Sequence, residues 1–190
     1  HDIVGLAQTG TGKTAAFALP ALARLQLNER KPQVLVLCPT RELALQVGDA
    51  FRQYGAGMKG LKVAALCGGA DMRQQLRSLK EGVHIVVATP GRMLDHLERG
   101  SADFSGVQTV VLDEADEMLR MGFIDDVDTI LAKTPAKRQV ALFSATMPPK
   151  VRAIANKHLK DAREISVAAA ATTNENIEQV LRGMELQDFS

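Results

Sequence analysis

The chain has 190 residues, 46% of them hydrophobic, and Lys+Arg 23 against Asp+Glu 22 leave a formal net charge of +1. That length suits one domain with a sizeable core, and no apolar run reaches the roughly 18 residues of a membrane span. Near-neutral charge, no Trp and a single Tyr argue against a generally basic nucleic-acid binder and against a module that stacks bases on aromatic side chains.

The predicted elements alternate along the chain. A strand at Ile3–Leu6 precedes a helix at Lys13–Leu27, a strand at Val34–Cys38 precedes a helix at Arg41–Tyr54, and a strand at Val63–Leu66 precedes a helix at Asp71–Leu79. Then come a strand at His84–Ala88, a helix at Met93–Glu98, a strand at Val107–Leu112, a helix at Phe123–Ala132, a strand at Gln139–Phe143, a helix at Lys150–Leu159 and a strand at Glu164–Val167. Several of the strand runs are apolar throughout, as strands buried on both faces are. The pattern predicts an α/β fold in three α/β/α layers with a mostly parallel central sheet.

Five of the strand runs stop and change at once to polar or glycine-containing turns: after Leu6, Cys38, Ala88, Leu112 and Phe143. Carboxyl ends of parallel strands share one edge, where open α/β sheets bind ligands. Ala7-Gln8-Thr9-Gly10-Thr11-Gly12-Lys13-Thr14 fits the phosphate-loop pattern GxxxxGK[ST], with Ala7 in place of the first glycine. Its glycines let successive N–H groups face phosphate oxygens, and the next helix adds its positive N-terminal end. Lys13 can reach the β- and γ-phosphates, and the Thr14 hydroxyl can ligate Mg²⁺. The bland alternative is a glycine-rich turn.

Asp113-Glu114-Ala115-Asp116 follows the apolar run Val110-Val111-Leu112. A carboxylate at the end of a buried strand is costly unless paired or near a metal, so Asp113 is the candidate to hold the ion opposite Thr14. Glu114, one residue on, is expected to project elsewhere and to orient or deprotonate an attacking water. The competing reading is a helix N-terminus decorated with acids. Lys13, Asp113 and Glu114 are the candidate catalytic residues.

With these motifs stand Pro39-Thr40-Arg41-Glu42-Leu43-Ala44, Gly68-Gly69, Thr89-Pro90-Gly91-Arg92 and Ser144-Ala145-Thr146, in that order, and the flanking Phe17-Ala18-Leu19-Pro20 and Met121-Gly122-Phe123. The ordered set resembles the DEAD-box ATP-dependent RNA helicases of bacterial type, over nearly the whole chain. The resemblance implies the first, ATP-binding, of two RecA-like phosphate-loop NTPase domains, with ATP and Mg²⁺ as its cofactors. It implies RNA contacts at Pro39, Thr40, Arg41, Gly68, Gly69, Thr89, Gly91 and Arg92, and coupling of nucleotide state to RNA binding through Asp116, Ser144 and Thr146. Hydroxyls, guanidinium groups and glycine N–H groups at strand ends suit phosphate and sugar oxygens, so recognition would follow backbone shape and the 2′-OH more than base identity. Taken alone, Ser144 and Thr146 read as turn chemistry, and Arg41 and Arg92 as surface ion pairs.

The resemblance also implies parts that this chain does not contain: an adenine-reading segment upstream of the phosphate loop, and a second RecA-like domain carrying arginine fingers. Residues 1–168 are expected to form the domain, and 169–190 a linker leading into the second one, with Ile177–Met184 as one more strand or its start. His1-Asp2-Ile3-Val4 reads as the interior of a longer folded chain and not as a signal peptide.

Cys38 and Cys67 lack any zinc-like spacing, which predicts a reduced, cytoplasmic setting without a membrane. His84 reads as a strand-start residue, His96 and His158 as exposed helix residues, Met118 and Met121 as core, and Lys133, Lys137 and Arg138 as a solvated basic corner. Two other functions remain open at this point: a DNA-directed helicase of the same superfamily, and a non-catalytic nucleic-acid or protein-binding module. The RNA target, the pathway and the oligomeric state are not fixed by the sequence.

Overall fold

A computed structural model describes residues 1–167. The expected linker and further strand at 168–190 lie outside the described residues. The elements are β1 (Ile3–Leu6), α1 (Lys13–Ala23), β2 (Val34–Leu37), α2 (Arg41–Tyr54), β3 (Val63–Leu66), α3 (Met72–Glu81) and β4 (Ile85–Ala88). They continue with α4 (Pro90–Arg99), a 3₁₀ turn at Phe104–Gly106, β5 (Thr109–Leu112), α5 (Ala115–Arg120), α6 (Ile124–Lys133), β6 (Gln139–Ser144), α7 (Pro149–His158) and β7 (Arg163–Ser166).

The strands form one seven-stranded sheet in the order β3-β4-β2-β5-β6-β1-β7, and every described pairing is parallel. Every residue of β2 and β4 is buried, which is why these runs are apolar without alternation. On one face α1 and α2 contribute Phe17, Leu22, Val47 and Phe51 against Val34, Val36, Ile85, Val87 and Val111. The other face carries α3 to α7, with Leu79, Met93, Met118, Ile130 and Ile154 over Leu35, Leu37, Val86, Val110 and Leu142. Strand residues of opposite parity thus feed the two helical layers, as the period of two requires.

Several elements depart from the sequence pattern for local reasons. Helix α4 starts at Pro90, whose missing N–H and fixed φ suit a first helical position. Strand β5 starts at Thr109, because Val107 still closes the 3₁₀ turn through its N–H to the Phe104 carbonyl. Helix α5 was absent from the periodicity reading and entered only through the competing reading of the acidic tetrad as a helix N-terminus; it is six residues long, too short for an amphipathic period to show.

Two histidines also differ from expectation. His96 is fully buried, and the His158 ring is enclosed beside Asp128, which lies 2.5 Å from its Nε2. Met118 is core as expected, whereas Met121 is 45% exposed just past the end of α5. His84 lies buried ahead of β4; its Nδ1 accepts from the Lys62 N–H and its Nε2 donates to the Leu27 carbonyl.

Candidate nucleotide and nucleic-acid sites

All the motif residues fall at the carboxyl edge of the sheet, and the strand order divides them. The neighbours β3, β4 and β2 end in Gly68-Gly69, Thr89–Arg92 and Pro39–Arg41. The neighbours β5, β6 and β1 end in the acidic tetrad, Ser144–Thr146 and the phosphate loop. The first group contains every residue expected to face RNA, and the second every residue expected to serve the nucleotide.

The phosphate loop leaves β1 through Ala7, which is buried and donates its N–H to the Ser144 carbonyl. Gly10 and Gly12 have φ of 85° and 78°, left-handed values that a Cβ disfavours, and Gly12 is the N-cap of α1. Thr11 Oγ1 donates to the Gln8 carbonyl at 2.8 Å, closing the turn on itself. Lys13 and Thr14 open α1, so the first-turn N–H groups and the ammonium share one end of the helix.

Across from it, Lys13 Nζ stands 3.1 Å from Asp113 Oδ1 and 3.6 Å from Glu114 Oε1. Asp113 is fully buried, and among the described residues neither of its carboxylate oxygens accepts a well-oriented hydrogen bond. Burial pushes its pKa above the ordinary carboxylate value, against the pull of Lys13. Glu114 does not project away from Asp113 as strand alternation predicts. It takes the left-handed conformation, φ 56° and ψ 56°, and its carboxylate turns toward Lys13 beside the Thr9 hydroxyl, 3.5 Å away. A non-glycine residue there is uncommon, and the strain marks a place where direction matters.

Asp116 forms the link to β6. Its N–H donates to Ser144 Oγ at 3.0 Å, and its Oδ2 accepts from the Thr146 N–H at 3.1 Å and from Thr146 Oγ1 at 2.9 Å. Burial raises its pKa, but the Thr146 and Ser144 hydroxyls and the Thr146 and Glu117 N–H groups outweigh that and hold it below the ordinary value.

A cleft of about 840 Å³ lies along this edge, with Thr9, Gly10, Gly12, Lys13, Thr14, Asp113 and Glu114 on one side. Its other wall is α2, through Leu45, Gln46, Asp49 and Tyr54. The sequence did not mark that wall; its only signal is the exposure of Leu45 (41%) and Tyr54 (45%), which a periodicity reading does not supply.

At the other half of the edge, Thr40 caps α2, its Oγ1 accepting from the Leu43 N–H at 3.2 Å, while Arg41 is exposed beside Gly69. Pro39 is buried. Thr89 Oγ1 accepts from the Gly68 N–H at 3.4 Å, and Arg92 Nη1 donates to the Ala70 carbonyl at 3.1 Å. Arg92 also approaches Asp95, Nε to Oδ2 at 3.8 Å, so part of its donor set serves the fold. Gly68, Gly69 and Gly91 are exposed.

Fold and site together define a phosphate-loop nucleotide domain of α/β class. A family model described as DEAD/DEAH box helicase matches residues 1–154. The chain belongs to that DEAD/DEAH box helicase family. It is 56% identical over 94% of its length to an ATP-dependent RNA helicase DeaD of Mycobacterium tuberculosis and 53% identical over its whole length to that of Escherichia coli. A crystal structure of a DEAD box protein from the hyperthermophile Methanococcus jannaschii superposes with a TM-score of 0.86 at 40% identity, over 99% of this chain and 53% of that one. The chain spans about one third (32%) of the curated relatives it matches.

Proposed function

We propose that this domain binds ATP and, with a second RecA-like domain of the same protein, uses its hydrolysis to separate RNA strands or remodel RNA–protein complexes. The observation that carries the reading is the convergence of Lys13, Asp113 and Glu114 within 3.6 Å across two strand ends. Lys13 and the N–H groups of Gly10–Thr14 suit the triphosphate, and Glu114 suits a water attacking the γ-phosphate. Thr14 and Asp113 would hold Mg²⁺, and the fit rests on a buried carboxylate whose oxygens accept no regular hydrogen bond. When bound, that ion neutralises charge developing on the β- and γ-phosphate oxygens.

RNA would cross the β2–β4 half of the edge, where Thr40, Arg41, Gly68, Gly69, Thr89, Gly91 and Arg92 offer N–H, hydroxyl and guanidinium donors to phosphates and riboses. Asp116, held by Ser144 and Thr146, lies on the nucleotide half and would transmit its occupancy toward the RNA. A transition state charged on the γ-phosphate also needs a facing cation, and arginine fingers contribute roughly 10³–10⁵ in rate where they are known. This domain alone, without that cation, should therefore turn nucleotide over very slowly. Two free, buried cysteines suit a reducing, cytoplasmic setting.

The test is ATP hydrolysis by the full-length protein with RNA, with DNA and with neither. RNA-dependent turnover that vanishes in Lys13→Ala supports the reading. Equal stimulation by DNA, or turnover indifferent to Lys13, overturns it.

A further inference from the structure

Beneath the proposed RNA face, two polar side chains are buried where apolar ones would pack: Gln75 on α3 is 5% exposed and His96 on α4 is 0% exposed. Gln75 Nε2 donates to the Cys67 carbonyl at 3.0 Å. Its Oε1 is therefore an acceptor, and the His96 Nε2 lying 2.8 Å from it carries the proton. His96 Nδ1 is then bare, buried and without a partner among the described residues, the arrangement of a ring present for one hydrogen bond only.

Cys67 is the last residue before Gly68-Gly69. Gly69 has φ +76°, so the turn's own residues do little to fix its shape. External contacts fix it instead: Gln75 on the Cys67 carbonyl, Thr89 on the Gly68 N–H and Arg92 on the Ala70 carbonyl. Arg92 and His96 stand four residues apart on one face of α4, so that helix reaches the turn both directly and through Gln75.

We propose that Gln75 and His96 are positioning residues for the RNA-facing turn Cys67–Ala70, acting through the chain His96 Nε2–H to Gln75 Oε1 and Gln75 Nε2–H to the Cys67 carbonyl. The proposal rests on the reading of Gly68, Gly69 and Arg92 as RNA contacts. Neither residue touches Lys13, Asp113 or Glu114, so the effect falls on RNA affinity and not on the nucleotide site.

The experiment uses the full-length protein, single-stranded oligoribonucleotide binding and RNA-stimulated ATP hydrolysis. Losing one buried hydrogen bond should raise the apparent KM for RNA by about 5- to 30-fold in Gln75→Met and His96→Phe, with kcat at saturating RNA and the KM for ATP unchanged. His96→Gln places an amide donor near the position of Nε2 and should restore the RNA KM. Amide exchange at Gly68 and Gly69 should quicken in Gln75→Met. Should that variant not fold, His96→Phe, with amide exchange read at Gly68 and Gly69, carries the same comparison. His96→Gln as impaired as His96→Phe, an unchanged RNA KM, or unaltered exchange at the two glycines would overturn the proposal. Arg92→Ala separates the two failures. If Arg92→Ala weakens RNA binding and Gln75→Met and His96→Phe do not, the positioning role alone falls. If Arg92→Ala binds RNA normally, the RNA-face reading falls and the positioning role with it.

Discussion

Lys13 Nζ lies 3.1 Å from Asp113 Oδ1, joining the first turn of α1 to the end of β5 by a pair whose side chains are 9% and 0% exposed. Removing one member of a buried pair leaves the other uncompensated, so Lys13→Ala should cost on the order of 3 kcal/mol at neutral pH besides abolishing nucleotide binding. The sign with pH follows from Asp113. Burial already raises its folded pKa, so ionisation is penalised in the folded state above that value and free of penalty once the carboxyl is protonated. Without Lys13 the penalty grows. The stability gap between Lys13→Ala and wild type should be widest near neutrality and narrow as pH falls through the raised folded pKa. Urea denaturation of both proteins across pH 4–8 measures it, and a gap independent of pH would contradict the pairing.

The Asp116–Thr146 contact makes the opposite prediction. Asp116 is held below the ordinary carboxylate value, so its stabilisation is present above the unfolded pKa and lost as pH falls through the folded one. Thr146→Val removes the 2.9 Å hydroxyl donor and leaves the Thr146 N–H contact in place. We expect a loss of about 1 kcal/mol at neutral pH, with acid unfolding beginning at a higher pH than in wild type. In the full-length protein the same change should reduce RNA unwinding more than ATP hydrolysis. Equal loss of both would remove Thr146 from the coupling.

Glycine substitutions separate strain from contact at the two halves of the edge. Gly10 and Gly12 have positive φ and open space, with nothing among the described residues within 4 Å of an added Cβ. Alanine there should cost about 1–2 kcal/mol of conformational strain and lower nucleotide affinity accordingly. Gly91 also has nothing within 4 Å among the described residues, no positive φ and a place in the first turn of α4, so Gly91→Ala should keep or slightly raise thermal stability. A fall in RNA affinity for Gly91→Ala would then report contact with the ligand alone, and a matching fall in melting temperature would show that the fold was disturbed instead.

Strands β2 and β4 were legible because burial on both faces removes alternation, and the phosphate loop because its chemistry demands particular residues at fixed spacing. The grouping of motifs at one edge followed from the parallel sheet. The direction of Glu114 was not legible: a period of two sends it away from Asp113, and only its left-handed backbone brings the two carboxylates to one lysine. His96 was misjudged for a related reason. A histidine on an amphipathic helix reads as exposed until its partner is known, and Gln75 lies on another helix. Neighbours distant in sequence decide both cases.

The opposite edge of the sheet has a buried carboxylate of its own. Asp2 is buried just before β1, where its carboxylate accepts from the Val140 N–H at 2.9 Å and the Lys160 N–H at 2.7 Å. It thereby ties β1 to β6 on one side and to the turn before β7 on the other. Asp2→Ala leaves the buried Val140 N–H and the partly buried Lys160 N–H without acceptors and should cost about 1–3 kcal/mol. Asp2→Asn should be nearly as damaging, because one of its two terminal groups is itself a donor and would face an N–H. Nucleotide affinity should be unchanged in both, since the phosphate loop begins at the other end of β1. Chemical denaturation alongside nucleotide titration decides it. Full stability in Asp2→Asn would mean that one of the two hydrogen bonds suffices, and the clamp would reduce to a single contact.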